Sequence, residues 1–171
     1  ALLVHGYHLG IEDQSIYLPG IEKSLNPALF AKDSALFLPQ TRSTFLIEIV
    51  AASVRVTGLR LETAVFAWHV LALFFLLAAA WRLACRCFMA PEARWGSVAL
   101  LAAVLTLPVA GTSIYIADQY LHPRTLATAS ILFALAALLM VSSATGGAAP
   151  IRAGKCLASK YSNCASWTTP S

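Results

Sequence analysis

Charged side chains are scarce in this chain, at 12% of 171 residues, against roughly a quarter in an ordinary soluble domain. So little charge argues against a soluble globule. Cysteine is sparse too, and its four residues fall into two loose pairs, Cys85 with Cys87 and Cys156 with Cys164. Neither a disulfide framework nor a zinc site has that spacing. His5 and His8 stand three apart but lack placed carboxylates, so no metal site is assigned and no cofactor is specified; a divalent metal is compatible with the acids of the outer segment but not indicated. Lys and Arg outnumber Asp and Glu by 12 to 8. The bases are dispersed and several flank apolar runs, so the excess is read as membrane topology and no nucleic-acid partner is expected. An initiating Met is missing as well, and the four apolar residues 1–4 are far short of the ~20 needed to cross a bilayer. They read as the end of a span cut off upstream, which makes the chain a fragment.

What the chain has in abundance is apolar length. Hydrophobic residues reach 58%, collected into long Ala- and Leu-rich runs at 63–83, 98–117 and 126–143. Each is near the length of a transmembrane helix. Trp81 and Arg82 close the first run, and Arg94 and Trp95 precede the second, as aromatic and cationic anchors do at a membrane interface. Pro108 should kink the second run. Arg82, Arg86 and Arg94 surround the first connection, which places residues 84–95 in the cytoplasm. Residues 5–60 and 118–125 then lie outside, and the tail with Arg152, Lys155 and Lys160 lies inside. Integral membrane protein of a bacterial inner or plasma membrane is the expected setting, with membrane lipid as partner.

Within the outer segment, Thr44, Glu48 and Arg55 recur at helical spacing among Phe45, Leu46, Ile49, Val50 and Val56, predicting a helix over 44–55 that lies in the interface or packs on the bundle. Residues 13–25 carry Ile16, Tyr17, Ile21 and Leu25 at similar spacing, interrupted by Pro19 and Gly20. That predicts a second, shorter interfacial helix. The expected fold is all-α: a polytopic transmembrane bundle of about three full spans plus a truncated first one, with interfacial helices in an outer loop. Residues 144–171 turn to Gly, Ala, Ser, Thr and Lys without periodicity and read as a disordered tail.

Ionisable groups gather on the outer side: Glu12, Asp13, Tyr17, Glu22 and Asp33, and across the second outer connection Asp118, His122 and Arg124. Such carboxylates serve as general bases, as metal ligands or as plain solvated charges. Asp13 stands at the start of a predicted helix, so capping and catalysis are both open to it. Asp33 suits a cap for the stretch after it. Arg124 fits either an interfacial anchor or a fork for phosphate oxygens, and His122 either a plain loop residue or a ligand. His69, inside the first full run, suits an interhelical hydrogen bond.

An outer loop that opens on Asp13 with Tyr17 four residues later, followed by two interfacial helices and Ala/Leu-rich spans, resembles the amino-terminal part of GT-C-type integral-membrane glycosyltransferases. The likeness covers residues 1–143. It implies inverting transfer from a polyprenyl-phosphate sugar donor on the non-cytoplasmic face, with Asp13 at the position of the family's catalytic carboxylate. Arg124, Asp33, Tyr17 and His122 are then the substrate-binding candidates. A transporter or channel fragment, or a non-catalytic structural subunit, is the alternative; a transporter, however, places ionisable groups at mid-span, where only His69 lies.

Overall fold

The computed structural model describes residues 1–32, 39, 44–107 and 115–144. Its main elements are helices: α1 (Leu2–His5), α2 (Gln14–Leu25), α3 (Leu46–Thr57), α4 (Leu61–Cys87), α5 (Pro91–Val104) and α6 (Pro123–Ala144). Among the described residues there is no strand.

The two longest helices come from the two cleanest apolar runs. α4 has 27 residues and α6 has 22, roughly 40 and 33 Å at 1.5 Å per residue, against a hydrocarbon core of about 30 Å. Both are long and apolar enough to cross a membrane, with mean hydropathy 2.1 each. Their outward faces keep large apolar side chains uncovered: Phe74 is 63% exposed and Leu138 64%. Between them the contact is close because small residues line it, with Ala72 and Ala129 buried, as helices in lipid pack. The two run parallel. Val65 lies with Leu121 and Leu126 at one end, while Leu73 and Leu76 lie with Ala129 and Leu132 further along.

α5 runs back against α4. Pro91 opens it at a first-turn position where the missing N–H costs nothing, Trp81 meets Trp95 with ring centroids 4.4 Å apart, and Leu76 shares a cluster with Leu101 and Leu105. One expectation fails at its far end. The run 98–117 does not form one continuous helix: α5 stops at Val104, residues 105–107 form a turn, and residues 115–122 are irregular. Val104 stands four residues before Pro108, and in a continuing helix a proline brings no N–H and crowds the carbonyl four residues earlier. Pro108 itself is outside the described residues, as is the tail beyond 144. The Ala117 N–H donates to the Leu105 carbonyl at 3.0 Å, so part of the interrupted backbone is satisfied locally.

α2 and α3 lie as a pair against the start of α4. α2 runs through Pro19 and Gly20 without a break. Ile21 of α2 and Leu46, Ile47, Val50 and Ala51 of α3 are buried together with Val65 and Leu121. The Trp68 indole N–H donates to Ser53 Oγ at 3.0 Å, and the Arg55 guanidinium donates to the Ser24 carbonyl. Gly58, at φ 68°, ends α3 in the left-handed conformation that lets the chain turn into α4. α1 is pinned to α5 through His5: Nε2 donates to the Ala102 carbonyl at 2.9 Å, and Nδ1 accepts from Thr106 Oγ at 2.6 Å. Both nitrogens of that ring are thereby engaged.

Residues 7–13, the start of α2 and residues 118–124 meet at one end of this assembly, and the Trp81–Trp95 pair marks the other. In a background with the cysteines replaced by serine, Ser15→Cys and Gln119→Cys should react with an impermeant maleimide from the same side of the membrane, and Pro91→Cys only from the opposite side. Co-labelling of Pro91→Cys with Ser15→Cys would overturn the arrangement. Ser15 is the better probe than its neighbour Gln14, which is only 2% exposed.

Candidate functional site

Asp13 occupies the cap position of α2, yet its side chain makes no capping hydrogen bond. Gln14 does the local work instead: its Oε1 accepts the Gly10 N–H at 2.7 Å. Gly10, at φ 79°, and Glu12, at φ 48°, both adopt the left-handed region, which is unusual for Glu and tightens this turn. The Asp13 carboxylate, 60% exposed, is directed across to the other loop, where Oδ2 accepts from His122 Nε2 at 3.3 Å. Of the two roles that the sequence leaves open for Asp13, the cap is therefore not taken.

The second loop is built around a buried carboxylate. The Asp118 side chain is 2% exposed, and both of its oxygens accept from Arg124 Nη2 at 2.9 Å. Arg124 is the second residue of α6, in the first turn, where backbone N–H groups have no partner within the helix. Its N–H donates to His122 Nδ1 at 3.0 Å, so the imidazole caps α6. The edges of Tyr17 and Tyr120 meet the same imidazole, with ring centroids 5.8 and 6.0 Å away. Tyr120 donates its hydroxyl to Glu12 Oε2 at 3.3 Å. Burial first, and then the Asp118, Asp13 and Glu12 carboxylates, push the Tyr120 phenol well above the ordinary tyrosine range. It therefore remains a neutral donor. Burial and Asp13 raise Tyr17 as well, with Arg124 opposing them.

Beside this cluster a cleft of about 130 Å³ opens between Glu12, Thr106, Tyr115, Asp118, Gln119 and Tyr120. Two carboxylates, two phenols, an amide and a hydroxyl are groups that hydrogen-bond a polyhydroxylated ligand. His69 lines a smaller neighbouring cavity with His5, Thr106 and Asp118. It is 2% exposed, its ring lies 5.1 Å from that of Tyr7, and its hydrogen-bond partner is the Tyr120 backbone. Among the described residues no group of three His, Cys, Asp or Glu side chains is placed to hold a metal ion.

Of the residues singled out in the sequence, the structure brings Asp13, Tyr17, His122 and Arg124 into one cluster with Asp118 and Glu12. Asp33 lies outside the described residues, and Glu22 sits more than two helical turns along α2. Sequence reasoning missed Tyr120. The signal was its position, midway between Asp118 and His122 in a short connection already rich in ionisable groups.

The geometry sets two expected outcomes. Asp118→Ala strips the partner from Arg124 and should lower stability by about 1–2 kcal/mol, toward the low end for a lost charged partner because the Arg124 side chain is 37% exposed; thermal unfolding in detergent reads it. For Tyr120 the folded state holds its proton more tightly than the unfolded state, so stability should fall as pH rises above the ordinary tyrosine value of about 10. Tyr120→Phe should flatten that decline and remove the last-appearing tyrosinate absorbance.

Compared with protein-family models, curated proteins and solved structures, the chain matches none, and the functional reading rests on the geometry of this cluster.

Proposed function

We propose that the chain forms the outer-face part of a polytopic, GT-C-type membrane glycosyltransferase that takes sugar from a polyprenyl-phosphate donor. The observation that carries this reading is Asp13: a carboxylate released from capping, 60% exposed and engaged through Oδ2 with His122. Its chain neighbour Glu12 lines a cleft with other hydroxyl-binding groups.

In this reading the acceptor hydroxyl enters from the cleft and gives its proton to Asp13 Oδ1. Its oxygen attacks the anomeric carbon of the sugar from the face opposite the phosphate, and the bond from that carbon to the phosphate oxygen breaks. The electron pair leaves with the polyprenyl phosphate, and the configuration inverts. Asp13 is the general base. The phosphate is assigned to Arg124 Nη1, since Asp118 engages Nη2, and Tyr17 and His122 flank the reacting groups. The run that begins with α5 is read as a third, interrupted crossing, which a bundle tolerates where neighbours satisfy the freed backbone, as the Ala117 to Leu105 bond does. With α4 and α6 that makes three spans.

The transporter alternative asks for polar groups along the spans. His69, the ionisable residue within α4's apolar stretch, faces Tyr7 and Tyr120 in the bundle, while the acids stay together at one end.

Membranes carrying the protein and a radiolabelled polyprenyl-phosphate sugar test the proposal. Asp13→Asn should reduce kcat by about 10²- to 10⁴-fold, the usual worth of a positioned base, with thermal unfolding unchanged. Transfer at the normal rate by the Asn variant would remove Asp13 from the mechanism.

A further inference from the structure

His122 has no free ring nitrogen. Its Nδ1 accepts the Arg124 backbone N–H at 3.0 Å, so in the neutral ring the proton must sit on Nε2. That N–H points at Asp13 Oδ2, 3.3 Å away. Pro123 follows directly, fixes its own φ and limits the backbone freedom of His122 before it. The ring makes edge-type contacts with both Tyr17 and Tyr120, and its side chain is 13% exposed. A ligand arriving from the cleft would have to break one of two existing bonds to reach an imidazole nitrogen.

We infer that His122 is a positioning residue for Asp13 and not a substrate ligand: the backbone at the start of α6 sets its tautomer, and its Nε2–H fixes which carboxylate oxygen is left for the acceptor. Asp118 belongs to the same device at one remove. By holding the Arg124 guanidinium through both carboxylate oxygens it anchors the residue whose N–H selects the tautomer. The inference rests on the assignment of Asp13 as base, and it accounts for how an exposed carboxylate on a loop keeps one orientation, as a general base must.

Two amide substitutions separate positioning from capping. The Gln amide nitrogen reaches the place of Nε2, so His122→Gln keeps the donor to Asp13 and loses the α6 cap. The Asn carbonyl oxygen takes the place of Nδ1, so His122→Asn keeps the cap and loses the donor. If His122 positions Asp13, His122→Asn should lose about 10- to 100-fold in kcat with KM unchanged. His122→Gln should retain about tenfold more kcat than His122→Asn although it unfolds at a lower temperature. Activity in the same order as stability, or a loss confined to KM, would overturn the inference.

A measurement without turnover keeps the two proposals apart. In the full chain labelled with ¹⁵N-histidine, the His122 signal, identified by its loss in His122→Asn, should show the Nε2–H tautomer and should shift in Asp13→Asn while that of His69 does not. The opposite tautomer, or no response to Asp13→Asn, rejects the positioning role. Asp13→Asn with full transfer activity but an intact tautomer response rejects the base assignment alone.

Discussion

Asp118 is the group on which the polar end of the molecule depends. A carboxylate with a side chain 2% exposed is costly to keep charged unless it is paired and hydrogen-bonded, and Arg124 meets both conditions with a single nitrogen that reaches both oxygens. The pair spans six residues and ties the irregular stretch after residue 115 to the first turn of α6. Tyr120 and His122 lie within that stretch, so their placement against Glu12 and Asp13 depends on the same clamp. The clamp does not itself face the acceptor. It makes a loop behave like a rigid element.

Beneath this end lie α4 and α6, two helices long and apolar enough to cross a membrane. α4 and α6 bury alanines together with Val65, Leu73 and Leu76 between them and leave side chains such as Phe74 and Leu138 exposed on their outer faces. α2 and α3 are different in kind: their apolar faces close on one another and on Val65 and Leu121, so they dock on the bundle as a small layer of their own. The polar cluster occupies the seam between that layer and the bundle. Groups from opposite ends of the chain meet there because neither layer covers the seam alone.

The helices were largely legible because each depends on local pattern. The spacing of Glu48 and Arg55 in an apolar field marks α3, and sheer apolar length marks α4 and α6. The run through Pro108 misled because hydropathy averages over a proline that the backbone cannot ignore; the helix ends four residues before it. In the candidate site, the types of residue were legible and their partners were not. Asp13 and His122 are 109 positions apart, and no spacing rule links them; only the expectation that both outer loops share one membrane face suggests that they could meet. Local rules even pointed elsewhere for Asp13, since an acid before a helix usually caps it. The neighbouring Gln14 takes the Gly10 N–H instead, and the Asp13 carboxylate is free to cross to the other loop.

The parallel course of α4 and α6 has an electrical side. Each helix carries roughly half a positive charge at its amino end, and because the two run the same way, both amino ends sit on the face that holds Asp13, Glu12 and Asp118; α2 adds a third beside Asp13 itself. An antiparallel pair would have set a negative helix end against those acids. The amino ends of α2, α4 and α6 thus supply positive potential beside these carboxylates, offset in part by the carboxyl end of α5, which runs the other way and ends just before Thr106 in the same cleft.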